Sequence, residues 1–373
     1  MKYYKMSALL LALALLFTLA ACDPEAGAPT ADPTDGTSAD MLPPEETLSS
    51  LSPTQGPSSK PVETPSDVVP GEIRLAVLSG PTGIGAAKLL DNIDNNPASL
   101  SYGNYDYTIY TDNSELVAGL TKGEIDIATM ASNVALNLYN KTDGDVMIIA
   151  AGTLGVLHIL EGSGSTEISA IADLAGKTIW SAGQGANPEY ILRHLLQQSG
   201  LTPGEDVTIQ FAEASEIQAK LLSGDIQYAM LPVPAATAAI AKGEDKVRAA
   251  IDVTEAWDAM QSGSQLIMTA VVVRAEFAQA HPELVNAFLA DYEESISYVN
   301  GNIDAAAELV AGYGLAPNEA IAKKAIPQCH LAFISGNEML SALSGYFKAL
   351  YDIDPASVGG SLPDDGIYYI QAG

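Results

Sequence analysis

The stretch ELVAGLTKGEIDIATM, from Glu115 to Met130, has a counterpart about 101 residues further on, EIQAKLLSGDIQYAML, from Glu216 to Leu231. Each stretch predicts a helix that ends at a glycine, followed by an acidic turn and a strand. The repetition indicates two similar lobes facing each other across a cleft, or two αβ units that share this turn chemistry independently. Aligned without gaps, the identical pairs are Glu115/Glu216, Ala118/Ala219, Leu120/Leu221, Gly123/Gly224, Ile125/Ile226 and Ala128/Ala229.

Around these stretches, short β-rich runs alternate with helical runs, which is typical of an α/β fold with helices on both faces of a sheet. In the second stretch, Ser215 and Gln218 also have the spacing of a capping box. The predicted strands are Ile73–Leu78, Tyr107–Tyr110, Ile125–Met130, Val146–Ala150, Thr178–Trp180, Val207–Phe211, Ile226–Leu231 and Val247–Asp252. The predicted helices are Gly83–Asp91, Ser114–Thr121, Asn133–Tyr139, Pro188–Ser199, Glu216–Leu222 and Pro282–Val299.

The first 22 residues have the pattern of an export signal. Lys2 and Lys5 precede an uncharged run from Met6 to Ala20, and the run ends in Leu19-Ala20-Ala21-Cys22. This end resembles a bacterial lipobox, which implies that Cys22 becomes the lipidated first residue of an extracytoplasmic protein. The alternative is an ordinary signal with a chance cysteine. A membrane-spanning helix is disfavoured because the apolar run is shorter than about 20 residues.

Residues 23–70 are rich in proline, serine, threonine and acidic residues, and hold 10 of the 21 prolines. Such a composition cannot bury enough apolar surface to offset the entropy of ordering, and proline keeps the chain extended. We therefore expect a disordered stalk between the anchor and a folded part that begins near residue 71.

The charge and the cysteine count exclude several classes. The chain has a net charge of −29, which disfavours nucleic acid and broad contact with anionic lipid. The chain has two cysteines, Cys22 and Cys329, and only Cys329 lies in the folded part, so no disulfide can form within that part. We expect Cys329 to be a packed apolar residue rather than a nucleophile.

The folded part resembles the substrate-binding lipoproteins of ABC importers, of the nitrate/sulfonate/taurine and thiamine-pyrimidine class. The resemblance rests on the lipobox, the acidic stalk and four segments: IRLAVLSGPTGIGAAKLLD (73–91), GEIDIATMASN (123–133), DLAGKTIWSAGQGANPEYILRHLLQQSGL (173–201) and AMLPVPAAT (229–237). It implies the type II periplasmic-binding-protein fold, with two α/β lobes, two crossovers near Thr153–Leu157 and Asp252–Ser264, and a ligand cleft between the lobes. Lobe 1 is then 71–154 plus 255–373, and lobe 2 is 155–254.

The same resemblance implies a solute receptor on the outer face of the bacterial cytoplasmic membrane. Its partners would be a small ligand, namely a sulfonate, a nitrate-like anion or a pyrimidine-like heterocycle, and an ABC permease. We expect a monomer that binds no nucleic acid. Two rivals stay open, a ligand-sensing or scaffolding lipoprotein and an extracellular enzyme on the same fold.

Candidate ligand contacts follow from the sheet geometry, because ligands of open α/β sheets bind beyond the carboxyl ends of the strands. The loops at those ends are small, polar and placed at helix N-termini, where free N–H groups favour anionic or polar ligand groups. Each loop alone could also be a simple turn. The predicted contacts are Ser79, Gly80, Thr82, Ser132, Asn133, Thr153, Trp180, Gly183, Gln184, Asn187, Pro232 and Pro234.

Other side chains refine the ligand class. The four arginines, at positions 74, 193, 248 and 274, lie within or beside predicted elements rather than in cleft loops, so an arginine clamp for a carboxylate is not expected. Trp180 and Trp257 could stack on a flat ligand or belong to the core. Glu189 could pair with a cation or complement a helix dipole.

Signals of catalysis are weak. The histidines, at positions 158, 194, 281 and 330, have no metal-binding spacing, and no strand–turn–helix elbow carries a nucleophile. We therefore expect no catalytic residue, no metal and no cofactor.

Overall fold

Two mixed β-sheets, each covered by helices, make up the folded part of the computed structural model. The structure describes residues 71–102, 104–260 and 264–370, all within one compact unit spanning Asp67–Gly373. The predictions for the signal, for Cys22 and for the stalk at 23–70 fall outside the described residues.

The first sheet has the strand order β11-β4-β10-β3-β1-β2. β1 pairs in parallel with β2 and with β3, whereas β10 runs antiparallel to β3 and β4, and β11 antiparallel to β4. Its strands are β1 (Ile73–Leu78), β2 (Tyr105–Tyr110), β3 (Ile127–Ala131), β4 (Val146–Thr153), β10 (Thr269–Arg274) and β11 (Leu331–Ile334).

The second sheet has the order β7-β6-β8-β5-β9. β6 pairs in parallel with β7 and β8, and β5 runs antiparallel to β8 and β9. Its strands are β5 (Leu157–Glu161), β6 (Thr178–Ser181), β7 (Thr208–Phe211), β8 (Tyr228–Pro232) and β9 (Arg248–Asp252).

The two sheets repeat one arrangement. The order β2-β1-β3-β10-β4 matches β7-β6-β8-β5-β9 strand for strand, with the same succession of parallel and antiparallel pairs. The repeated sequence stretches supply β3 and β8, which occupy equivalent places. The likeness between the stretches therefore extends to the whole sheets.

The helices cover both sheets and pack with them through a largely aliphatic core. They are α1 (Pro81–Ile84), α2 (Ala87–Asn95), α3 (Asn113–Lys122), α4 (Ser132–Thr142), α5 (Asn187–Gln198), α6 (Ala214–Ser223), α7 (Ala235–Gly243), α8 (Val253–Ala259), α9 (Ala275–Ala280), α10 (Pro282–Gly301), α11 (Ile303–Gly312), α12 (Glu319–Ala325) and α13 (Gly336–Ile353). Among these helices, none combines the length and apolar character that crossing a membrane requires.

Most predicted elements are confirmed within a few residues, and two local predictions are wrong. The first helix begins at Pro81 rather than at Gly83, so Thr82 lies inside α1 and not in the loop before it. The capping box is also wrong, because α6 begins at Ala214 and Glu213 occupies the N-cap position. The amide of Gln218 instead donates to the carbonyl of Ala235 on α7, at 3.1 Å.

Candidate functional site

Loops that leave the two sheets meet at the carboxyl ends of β3 and β6. β3 ends at Ala131 and α4 begins at Ser132, while β6 ends at Ser181 and leads through a glycine-rich loop to α5, which begins at Asn187. The Asn187 Nδ2 donates to Ser132 Oγ at 3.0 Å and to the Met268 carbonyl at 2.8 Å. Two of the predicted contacts, one from each sheet, are therefore hydrogen-bonded to each other.

Ser132 holds the first sheet's side of this junction. Its N–H donates to the Met268 carbonyl at 3.1 Å, and its hydroxyl donates to the Ile267 carbonyl at 2.5 Å. Met268 in turn donates its N–H to the Thr153 carbonyl at 2.9 Å. Ser132, Thr153 and Asn187 thus belong to one network around the segment that returns from the second sheet to the first.

Three predicted contacts carry buried polar atoms that no other described residue satisfies: Asn133 Oδ1, Thr153 Oγ1 and Asn187 Oδ1. Asn133 and Asn187 are 0 % exposed and Thr153 is 1 % exposed. A buried polar atom without a partner costs about 1–3 kcal/mol, so each of the three is a candidate for a ligand contact.

A cavity of about 570 Å³ opens between loops of both sheets, and Ser132, Asn133, Thr153 and Asn187 are not among its lining residues. The first sheet contributes Thr111, Asp112, Asn113 and Val134, and the second contributes Gly183–Ala186 and residues from Phe211 to Glu216. Its lining includes the residues next to Asn133 and Asn187, namely Val134 and Ala186. Gly183 and Gln184 line this cavity, and their role as ligand contacts stays a prediction.

The glycine-rich loop is held by Glu189 on the first turn of α5. Gly183 and Gly185 have φ values of 82° and 73°, a backbone conformation that glycine adopts without strain. The N–H of Gly185 donates to Glu189 Oε2 at 2.9 Å, and the other carboxylate oxygen pairs with Arg193 at 2.8 Å. Glu189 therefore anchors the loop and has a cationic partner within the protein.

Ten of the twelve predicted contacts are not among the residues that line the cavity; besides Trp180 and the junction residues Ser132, Asn133, Thr153 and Asn187, they are Ser79, Gly80, Thr82, Pro232 and Pro234. The Ser79 N–H donates to the Tyr110 carbonyl at 2.8 Å, Gly80 caps α1 with a φ of 78°, and Thr82 is buried inside that short helix. Pro232 and Pro234 flank Val233, whose N–H donates to the Val156 carbonyl at 3.0 Å, near the first connection between the sheets. Their assignment as ligand contacts stays a prediction.

The two tryptophans have protein neighbours. The Nζ of Lys220 lies 4.0 Å from the ring centroid of Trp180, so a cation covers one face of that ring. Trp257 is fully buried, donates its indole N–H to the Ser264 carbonyl at 3.0 Å and contacts the rings of His194 and Tyr346. Trp257 is thus a core residue, and ligand stacking on Trp180 stays a prediction.

Every arginine is paired with a carboxylate outside the cavity. Arg74 and Arg274 both bind Asp126, at 2.5 and 2.8 Å, and Arg248 binds Glu161 at 2.5 Å. Burial acts to raise the pKa of Asp126, but the hydrogen bonds from Arg74 and Arg274 leave it below its usual value. These ion pairs tie strands together and leave no guanidinium at the described cavity.

The described residues also offer few groups that could bind a metal or act as a nucleophile. They contain no group of three or more histidine, cysteine, aspartate or glutamate side chains that could hold a metal. Cys329 is buried, and burial raises the pKa of its thiol to about 12, so it is protonated and inert at neutral pH.

Sequence reasoning missed the loops that follow β2 and β7, which line the cavity with Asp112 and Glu213. Both follow the carboxyl end of a parallel edge strand, so the rule that selected the other loops could have found them. It also missed the Met268 carbonyl, which no side-chain pattern reveals, because a backbone acceptor carries no sequence signal.

A comparison with known protein families matches residues 106–306 to the family model described as NMT1/THI5 like. No curated protein matches the chain significantly. The resemblance stated from the sequence is thereby confirmed for the family.

Solved structures confirm the fold. An ABC transporter protein from Parabacteroides distasonis superposes with a TM-score of 0.67 at 24% identity, over 81% of this chain and 99% of that one. The periplasmic aliphatic sulphonate binding protein SsuA from Escherichia coli gives 0.63 at 17% identity, over 78% and 94%. The alkanesulfonate-binding protein SsuA from Xanthomonas axonopodis pv. citri, bound to MOPS, gives 0.60 at 15% identity, over 77% and 94%. At these identities, the similarity supports the two-lobed fold and not a ligand.

Proposed function

The chain belongs to the NMT1/THI5-like family, and from this premise we propose that it is the extracytoplasmic solute-binding component of an ABC importer. One observation carries the proposal above the others. Asn187, from the loop after β6, donates to Ser132, from the loop after β3, so side chains of the two sheets meet there, and Asn133, Thr153 and Asn187 carry buried polar atoms that have no partner among the described residues. Such convergence of polar groups at strand ends is the usual setting of a small-molecule site.

The ligand would be enclosed between lobe 1 (71–154 plus 255–373) and lobe 2 (155–254). The chain passes from one sheet to the other between Thr153 and Leu157 and returns between Asp252 and Thr269, and these two connections would act as the hinge. The ligand stabilises the closed state by binding it more tightly than the open one. The names of the E. coli and Xanthomonas proteins make sulfonates the first class to test, with nitrate-like anions and pyrimidine-like heterocycles beside them.

Membrane attachment is the second part of the proposal. Cleavage before Cys22 and lipidation of that cysteine would place the protein on the outer face of the cytoplasmic membrane. Residues 23–70 would then act as the spacer, and a monomer would deliver ligand to a permease. The inert thiol of Cys329 supports a receptor that does no chemistry on its ligand.

The test combines binding and shape. Purified protein is unfolded and refolded to remove carried ligand, and a panel of sulfonates, nitrate, heterocycles and amines is screened by thermal shift. A ligand at about 100 times its Kd adds about 2.7 kcal/mol to the free energy of unfolding, which is a shift of several degrees. A hit that also reduces the radius of gyration in solution scattering supports the proposal. Turnover of the hit compound, or binding without compaction, contradicts it.

A further inference from the structure

Asn187 and Ser132 each begin a helix, yet neither side chain caps its own helix. The N-cap positions of α5 and α4 are held by Ala186 and Ala131, and neither helix start has a side-chain cap. Asparagine and serine at helix starts usually accept from the N–H groups of their own first turn. At both starts the polar side chain is instead used for bonds to other parts of the fold.

The hydrogen bonds of these two side chains run from the second sheet to the first. Asn187 Nδ2 donates one hydrogen to Ser132 Oγ at 3.0 Å and the other to the Met268 carbonyl at 2.8 Å. The Ser132 hydroxyl gives its own hydrogen to the Ile267 carbonyl at 2.5 Å, so its lone pairs are free to accept. Because a carbonyl only accepts, these directions are fixed, and both hydrogens of Asn187 Nδ2 are used by the protein.

The acceptors of Asn187 are held on the side of the first sheet. Met268 lies just before β10 and donates its N–H to the carbonyl of Thr153, at the end of β4, while its own carbonyl also accepts from the Ser132 N–H at 3.1 Å. Asn187 and Ser132 are fully buried, so water does not compete for these bonds while the sheets are in contact. Separation of the lobes would break the two Asn187 bonds and keep the rest of the network.

We propose that Asn187 and Ser132 form a latch that holds the two lobes together through protein atoms alone, so that part of the population is closed before a ligand binds. This inference rests on the proposed function, because it concerns lobes that open and close. A ligand completes the closure, and its apparent affinity rises with the closed fraction that the latch maintains. Two neutral hydrogen bonds change the ratio of closed to open protein by about tenfold.

The distance across the cavity mouth measures this ratio. Glu115 on α3 and Ser215 on α6 are exposed, and each lies within two residues of the cavity lining, on opposite sheets. Spin labels are attached to the refolded full-length chain that carries Glu115→Cys and Ser215→Cys, with Cys22→Ser and the buried Cys329 left unlabelled. Electron paramagnetic resonance without added ligand should show a short-distance and a long-distance population in the parent.

Four variants test the latch. Asn187→Leu keeps a similar volume but cannot donate, so it should lower the ratio of closed to open protein about tenfold. Ser132→Ala removes one of the two acceptors and should shift the ratio in the same direction by less. Thr237→Val removes the single bond of 3.2 Å from α7 to Gln328, before β11, and should also shift it less than Asn187→Leu. Ser295→Ala is the matched control, because this buried hydroxyl joins α10 to α2, both on the side of the first sheet, and should leave the ratio unchanged.

The outcomes separate the latch from the proposed function. The double variant of Asn187→Leu and Ser132→Ala should shift the ratio no further than Asn187→Leu alone, because the two changes remove a shared bond, and additive shifts contradict the latch. A parent without a short-distance population, or variants with the parent's distances, overturn the inference. An equal shift in Ser295→Ala overturns it too, since general loosening then explains the effect. The solute receptor stands in each of these cases if a sulfonate or another compound of the panel shortens the distance in the parent, and falls if none does.

Discussion

Gly155 lies in the first connection between the sheets, and its missing side chain makes room for the second connection. A Cβ at this position would lie 1.9 Å from Thr254 Oγ1 and 2.9 Å from Thr254 Cβ. His330 Nδ1 also lies 2.6 Å from the Gly155 carbonyl oxygen, within hydrogen-bonding distance. The two connections are therefore packed so closely that no larger residue fits between them.

Gly155→Ala should accordingly lower the free energy of unfolding by about 1–3 kcal/mol, because the overpacked Cβ must displace Thr254. Gly301→Ala, at the end of α10 with no atom near its added Cβ, is the control and should be neutral or slightly stabilising. Urea denaturation of both variants measures the difference. Equal stability of the two variants would show that the connections are not packed as described.

At the junction, sequence reasoning can select a residue only where its side chain carries the signal. Polar residues that begin helices after strands predict Ser132, Asn133 and Asn187; Ser132 and Asn187 are hydrogen-bonded to each other, Asn133 carries a buried unpartnered oxygen, and their role as ligand contacts stays a prediction. Their partners, the carbonyls of Ile267, Met268 and Ser357, could not be selected, because backbone acceptors are brought there only by the tertiary fold.

At the scale of elements, the repeated stretches end their helices in the same way. Gly123 after α3 and Gly224 after α6 have φ values of 71° and 83°, and their added Cβ atoms would meet nothing closer than 3.8 Å. The constraint at both positions is thus the backbone conformation and not space.

Gly123→Ala and Gly224→Ala should each cost roughly 1–2 kcal/mol of stability, since alanine is strained in the left-handed region. Asparagine tolerates this region better, so Gly123→Asn and Gly224→Asn should cost less. Thermal or urea unfolding gives the ranking. A cost for asparagine as large as that for alanine would point to packing rather than conformation.

Asp126 lies just before β3 and joins that strand to two others of the first sheet. It accepts hydrogen bonds from Arg74 on β1 and from Arg274 at the end of β10. Its pKa is lowered in the folded state. A lowered pKa means that the ion pairs contribute stability above the unfolded value of about 3.9, and that this contribution is lost as the pH falls through the folded value.

Asp126→Asn should therefore be less stable than the parent chain at pH 7, by about 1–3 kcal/mol, and the gap should narrow as the pH falls below about 4. The exposed Asp106→Asn on β2 is the control and should show a much smaller gap at pH 7. Urea midpoints across the pH range test this. A gap that stays constant down to acidic pH would contradict a role for the carboxylate charge.

Sequence reasoning missed the strands β5 and β11, and it recognised β10 only as an apolar strand before Arg274, without bounds or a place in a sheet. β4 and β5 form one nearly continuous apolar run, VMIIAAGTLGVLHILE, yet its two halves lie in different sheets. Local propensity cannot divide such a run, because the boundary depends on which sheet each half joins. β10 and β11 run antiparallel and fall outside the strand–helix rhythm on which the prediction relied.

At the scale of the whole molecule, the large negative net charge destabilises the folded state. The chain carries a net charge of −29, and several of its cations are already engaged in ion pairs with buried or half-buried carboxylates. The excess carboxylates repel one another in the compact state more than in the unfolded chain. Salt screens this repulsion over about 10 Å at 0.1 M, and exposed ion pairs contribute too little to reverse the sign.

Raising sodium chloride from low to moderate concentration should therefore raise the melting temperature of the full chain by a few degrees. Calorimetry of unfolding on a salt series measures the effect. Because the screened charges are spread over the whole chain, the rise should level off once the screening length falls below the spacing between neighbouring carboxylates. A melting temperature that falls with salt would mean that favourable ion pairs outweigh the repulsion.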